Sequence, residues 1–270
     1  MKKTIFTLFL LLFQVSAFNF QLSTASAQNL YIGSFYVTTT DEEKLYGDGG
    51  DKWANRLPVI CDMFNFEQPD VLGLQSLTES QTNSIYTRTK TSFNMVRNIM
   101  YNKNLVLVSD GVVEGMPEGS TCTWARLQKE ETDFYVFNIC FASGSNIPNT
   151  SATRVLTAIG EINTEKLACF IVGNTGINES GLAYSRINTR YPDCYTSSAV
   201  VSAEYGTKNN FDLAANHSSE RFDFIFASKA VTVNAYGQLQ YGYFTKESDG
   251  SYKRRLPSTH FPVMAKVTLH

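Results

Sequence analysis

Val71-Leu72-Gly73-Leu74-Gln75 carries a single polar side chain, at its end. A run this short without apolar/polar alternation reads as a strand covered on both faces. Ala168-Cys169-Phe170-Ile171-Val172 is a second such run. Strands buried on both sides need a layer above and a layer below, so the chain must build a layered structure of sheets and helices. Ahead of the first buried run, Leu30 to Val37 is rich in aromatic and branched residues and reads as a strand. Leu57, Ile60, Cys61 and Phe64 recur at helical spacing, with Pro58 suited to the first turn and Gln68-Pro69-Asp70 as the stop. The opening is therefore strand, helix, strand, with Thr38 to Gly50 as a polar surface loop.

Further on, residues 78–97 read as helix and loop. Asn98 to Tyr101 with Leu105 to Val108 predicts a hairpin, and Cys122 to Leu127 with Phe134 to Cys140 predicts another around a polar turn at Glu131. Cys122 and Cys140 then fall roughly opposite each other, which makes a cross-strand disulfide an expectation. Val155, Ile159 and Ile162 mark a helix with Arg154 near its start. Phe222 to Phe226, a Tyr/Gly-rich hairpin around Ala235 to Phe244, and a strand after Pro262 complete the order. No repeat or linker divides the chain, so residues 28–270 are read as one domain.

Residues 1–27 read as an export leader: Lys2 and Lys3, an apolar run from Ile5 to Phe13, and the small-x-small site Ala25-Ser26-Ala27. The expected address is periplasmic or extracellular, in a bacterium, with no membrane span. Charge is balanced, 23 Lys+Arg against 25 Asp+Glu, which disfavours a protein that grips many nucleic-acid phosphates. The five cysteines leave at least one thiol outside any intramolecular disulfide.

Five stretches carry a resemblance: Gly50 to Arg56, Gln68 to Gln75, Cys122 to Ala125, Arg221 to Phe226 and Pro257 to Val263. In that order they resemble the endonuclease/exonuclease/phosphatase family of deoxyribonuclease-like proteins. The resemblance implies an α/β fold of the α+β type: two mixed β-sheets packed as a sandwich, helices outside, four layers in all. It also implies metal-assisted phosphoester hydrolysis, in which Mg²⁺ held by hard oxygen ligands neutralises charge on the phosphate. A histidine and acids would handle the protons.

Most of the implied site positions differ here. The asparagine of the first strand falls on Tyr36, and the metal-binding glutamate on Ser76. The histidine beyond the hairpin falls on Cys140. The Gly-Asp-x-Asn turn reads Gly173-Asn174-Thr175-Gly176-Ile177-Asn178, without an aspartate. The Ser-Asp-His loop reads Ser258-Thr259-His260. His260, Asp223 and Asn178 are what remains of the catalytic set. Serine in place of glutamate removes the charged metal ligand, so no metal or other cofactor is expected. Mg²⁺ enters only if Glu79 or Glu179 takes over as ligand. The preferred reading is a pseudoenzyme or ligand-binding protein that takes a small phosphorylated or sugar-like ligand in the old cleft. The alternatives are an active metal-dependent phosphoesterase with relocated ligands, and a protein-interaction module.

Overall fold

A computed structural model of the protein describes residues 27–202, 205–214 and 220–270. The leader-like stretch 1–26 lies outside them. β1 (Gln28–Tyr36), α1 (Thr40–Tyr46) and α2 (Trp53–Glu67) lead into β2 (Val71–Gln75), α3 (Glu79–Thr89), β3 (Phe93–Val96) and β4 (Ile99–Asn102). β5 (Val106–Val112), β6 (Thr121–Lys129) and β7 (Thr132–Cys140) follow. Next come α4 (Ile147–Ile162), β8 (Ala168–Asn174), α5 (Leu182–Asn188), α6 (Cys194–Ser197) and β9 (Val201–Ser202). β10 (Asp223–Ala227), β11 (Val231–Gln238), β12 (Tyr243–Lys246), β13 (Tyr252–Arg255) and β14 (Val263–Leu269) complete the order.

Two mixed sheets form the body. The seven-stranded sheet runs β3-β4-β2-β1-β14-β11-β9 and the five-stranded sheet runs β10-β8-β7-β6-β5. β1 and β2 are parallel, as are β7 and β8, while β14 and β10 enter antiparallel. One apolar cluster fills the space between the sheets, with Ile32, Val71, Val136, Phe170 and Val263 among its members. A second packs the outer face of the seven-stranded sheet against Ile60, Phe64 and Ile85 of α2 and α3. A third packs the five-stranded sheet against Val155 and Ile159 of α4 and Ile187 of α5. The strand alternation explains the layering: Val71 feeds the middle cluster while Leu72 and Leu74 feed the outer one. This is the four-layer sandwich with helices outside. Gly73 permits the close approach of the sheets, because a Cβ there would stand 2.7 Å from Asn138 Oδ1. Asn138 Oδ1 accepts from Gln75 Nε2 at 2.7 Å and its Nδ2 donates to Leu74 O at 3.0 Å, a polar tie between the layers.

Several expectations are corrected. The Thr38 to Gly50 loop contains α1, started by a capping box in which Thr39 and Glu42 satisfy each other's backbone N–H. Pro58 lies inside α2, which begins at Trp53. Residues 98–108 do not form a hairpin: β4 pairs with β2 and β3, whereas β5 pairs with β6 in the other sheet. Nor does 235–244, since β11 pairs with β14 and β9, and β12 pairs with β13. The first of these errors has a common cause: two apolar runs close in sequence can close a turn or cross between sheets, and local spacing does not distinguish the two. The helix around Val155 starts at Ile147, well before Arg154. The Cys122–Cys140 disulfide is also overturned. Register pairs Cys122 with Ile139 and Cys140 with Thr121, so the thiols point to opposite faces, and both are free.

Candidate active site

The elements that carry the candidate side chains converge at one end of the sandwich. β1 ends at Tyr36, β2 runs out into Ser76, β7 ends at Cys140 and β8 at Asn174, while β10 starts with Asp223. The loop Ser258 to His260 enters β14 from the same end. Together they open onto a cleft of about 320 Å³ lined by Tyr36, Ser76, Cys140, Asn174, Lys208 and His260, among others.

At one side stands a carboxylate–histidine pair. His260 Nδ1 lies 2.6 Å from Asp223 Oδ2, and Asn174 Nδ2 donates to Asp223 Oδ1 at 3.0 Å. Asp223 is fully buried and His260 is 6% exposed. With Nδ1 donating to the carboxylate, Nε2 is the ring nitrogen left for a ligand, and no partner for it is present among the described residues. The imidazole stacks on the Tyr36 ring, centroids 4.2 Å apart and planes 24° apart, which fixes its tilt as the carboxylate fixes its rotation. Such a pair can accept or donate a proton, or hydrogen-bond a phosphoryl oxygen. Thr259 faces away: its hydroxyl meets Thr38 Oγ1 at 2.6 Å, and it does not line the cleft.

Behind Tyr36 and Ser76, which line the cleft, lies an acid that sequence reasoning missed and that does not itself line it. Glu42, at the third position of α1, receives Tyr36 OH on one carboxylate oxygen. On the other it receives Ser76 Oγ at 2.5 Å and Thr39 N at 2.8 Å. The α1 capping box thus brings a carboxylate up to the hydroxyls of Ser76 and Tyr36, behind the cleft lining. Burial works to raise the Glu42 carboxyl, but hydrogen bonds from Ser76, Tyr36 and Thr39 outweigh it and hold it below the usual range. Tyr36 moves the other way, raised by burial and by its bond to Glu42. The motif Thr39-x-x-Glu42 is legible in sequence as a helix start; its role in the cleft is not.

This supports a pH prediction. A carboxyl whose folded pKa is depressed contributes stability above its unfolded pKa, 4.5, and loses that contribution as pH falls through the lower folded value. Wild type is therefore expected to lose stability below about pH 4.5 more steeply than Glu42→Gln, measured by urea unfolding across pH 2 to 6. Parallel curves for the two proteins would show that Glu42 is not held in this way.

Cys140, half-buried, has its thiol pushed up to about 12, chiefly by burial. Burial thus favours the thiol over the thiolate and works against Cys140 as a nucleophile. Asn178 stands outside the cleft lining, donating to Glu220 Oε1 at 2.7 Å. Asn174 occupies the place beside Asp223 instead, its Oδ1 accepting Gly176 N at 2.9 Å so that the turn orients it. Glu79 is exposed in the first turn of α3. Glu179 accepts Arg221 N at 2.9 Å. Neither lines the cleft.

The donor set does not fit a hard divalent cation. Among the described residues no three His, Cys, Asp or Glu side chains cluster in a way that could hold a metal. Both oxygens of Glu42 are engaged by hydroxyl or amide donors, and both oxygens of Asp223 by His260 and Asn174. Mg²⁺ gives up water reluctantly and needs several hard oxygens converging on one point, which the two separately held carboxylates do not provide.

No family model and no curated protein sequence matches this chain. Solved structures do. An endonuclease/exonuclease/phosphatase family protein from Bacteroides thetaiotaomicron superposes with a TM-score of 0.82 at 21% identity, covering 90% of this chain and 99% of its own. A mannosyl-6-phosphatase from the same organism matches with a TM-score of 0.80 at 22% identity, covering 88% and 99%. D. rerio TDP2 in complex with a single-stranded DNA product matches at 0.64 and 16% identity, covering 89% and 99%.

Proposed function

We propose, from the endonuclease/exonuclease/phosphatase fold that this chain adopts, that it is an exported protein whose cleft binds a small phosphorylated or sugar-like ligand without a metal and has lost metal-dependent phosphoester hydrolysis. The observation that carries this reading is the state of Glu42. A carboxylate stands behind the old glutamate position, yet hydrogen bonds from Ser76 and Thr39 fill one of its oxygens and Tyr36 OH engages the other. Oε2 accepts from Ser76 Oγ, Thr39 N and Thr39 Oγ1 and has no lone pair left for a cation, while Oε1, held by Tyr36 OH, keeps one, so this carboxylate is a poor ligand by itself. Without a metal held there, the main support for negative charge on the phosphoryl and leaving-group oxygens is gone.

Ligand size follows from the cleft. About 320 Å³ is at the lower end of small-molecule sites, and suits a monosaccharide-sized body better than a stretch of nucleic acid. The structural neighbour named as a mannosyl-6-phosphatase supports a phosphorylated sugar as the first class to try. Balanced charge points the same way. Among the described residues no helix is long and apolar enough to cross a membrane. Export rests on the leader-like residues 1–27.

The second reading is an active hydrolase in which Glu42 releases its donors and joins the His260–Asp223 pair. The test for both is hydrolysis of phosphomono- and phosphodiesters with Mg²⁺ or Mn²⁺, with chelator, and with His260→Ala in parallel. The expected result is no metal-dependent turnover. Turnover that needs metal and falls with both His260→Ala and Glu42→Gln would replace the first reading by the second.

A further inference from the structure

We propose that Lys208 is the residue by which this cleft selects an anion, and that the ligand it recognises is a phosphomonoester of monosaccharide size. The inference rests on the metal-free reading of the cleft and adds to it a charge and a specificity.

The two carboxylates that stand behind the cleft lining are already answered within the protein, Asp223 by His260 and Asn174, Glu42 by Tyr36, Ser76 and Thr39. Lys208 is not. It lines the cleft and is half-buried, and among the described residues no carboxylate lies within ion-pair distance of it. Its ammonium sits 5.8 Å from the centroid of Phe222 and 5.9 Å from that of Tyr46, so aromatic faces restrain it where a water-exposed lysine would wander.

The backbone position is equally fixed. Lys208 forms an isolated bridge with His260. On either side of it, Phe261 N donates to Thr207 O at 2.8 Å and Asn209 N donates to Thr259 O at 2.7 Å. The segment that carries the ammonium is therefore zipped to the loop that carries the imidazole, and the two side chains present to one small cavity. A phosphomonoester brings close to two negative charges and three terminal oxygens near neutral pH. That suffices to engage the Lys208 ammonium and His260 Nε2 together. A neutral sugar offers neither group a charge to answer.

The test is calorimetric titration of the protein in chelator with inorganic phosphate, glucose 6-phosphate and glucose. Phosphate and glucose 6-phosphate are expected to bind and glucose to bind far more weakly. Lys208→Met is expected to weaken phosphate binding by about tenfold or more, the scale of one lost charge-assisted hydrogen bond. Lys208→Arg keeps the charge and is expected to retain most of the affinity, which guards against a merely misfolded variant. Equal phosphate binding by wild type and Lys208→Met overturns the role of Lys208 alone. Binding that occurs only when Mg²⁺ is added overturns the metal-free reading beneath it. No phosphate binding under either condition overturns the anion proposal and leaves the metal-free reading to the hydrolysis assay.

Discussion

Arg56→Met is expected to cost about 3–5 kcal/mol of stability, the range for breaking a buried ion pair on one side, and to lower the melting temperature by roughly 10 °C. Arg56 is fully buried. Its guanidinium donates to Val37 O at 2.8 Å, Asp51 O at 2.9 Å, Pro257 O at 3.1 Å and Thr38 O at 3.2 Å, and to Glu43 Oε2 at 2.8 Å. Trp53 and Phe211 lie 5.2 and 5.5 Å from it. One side chain thus joins the end of β1, the α1 segment and the loop before Ser258, and the first of these carries Tyr36 and the last runs into His260, both of the cleft lining. Methionine fills the volume but leaves four carbonyls and a carboxylate without their donor, so the loss is not the mild one of a hydrophobic swap. Arg56→Lys keeps the charge without the planar fork and is expected to fall between. Thermal melts of the three proteins decide it. A Met variant within about 1 kcal/mol of wild type would show that these carbonyls find water and that these segments stand without Arg56.

The stretch Gly50 to Arg56 carried part of the family resemblance, and the fold followed from such stretches because each is a local pattern with a local consequence. Two buried strands demand two covering layers, and Val71 to Gln75 and Ala168 to Val172 are both fully or nearly fully covered in the structure. Cross-sheet choices were not legible in that way. β4 and β5 follow each other in sequence yet join different sheets, which is decided by packing between the sheets and leaves no mark on the hydrophobic period. The site divides along the same line. Asp223 and His260 were each legible because one opens a patterned strand and the other sits in a proline-bracketed loop, and the structure brings them together. The sequence placed Asn174 at the substituted aspartate position of the turn and Asn178 as its surviving asparagine; in the structure Asn174 bonds Asp223 while Asn178 bonds Glu220 outside the cleft lining. Glu42 and Lys208 were missed because both lie in polar stretches of sequence, where a charge reads as solvated until tertiary structure shows what it touches.

Gly173→Ala is expected to be the other severe substitution, at about 3 kcal/mol or more. Gly173 has φ +139°, a conformation that side chains rarely adopt, and a Cβ there would stand 1.9 Å from Ile139 O. That oxygen is backbone on β7, parallel to and in register with β8 at this residue pair, so neither partner can yield without breaking the ladder. Gly250 is the control: it also has positive φ, +86°, but nothing lies within 4 Å of its added Cβ. Gly250→Ala should therefore show the backbone cost without the collision, about 1 kcal/mol. Urea unfolding of the two variants separates the effects, and equal losses would mean that β8 shifts freely at Gly173. The consequence reaches the cleft because the next residue is Asn174, paired across β10 with Asp223. A displaced β8 takes the Asn174 amide off Asp223 Oδ1, and the carboxylate that orients His260 is then held from one side only. Any ligand binding that depends on His260 should weaken in whatever fraction of Gly173→Ala still folds, while Gly250→Ala binds as wild type.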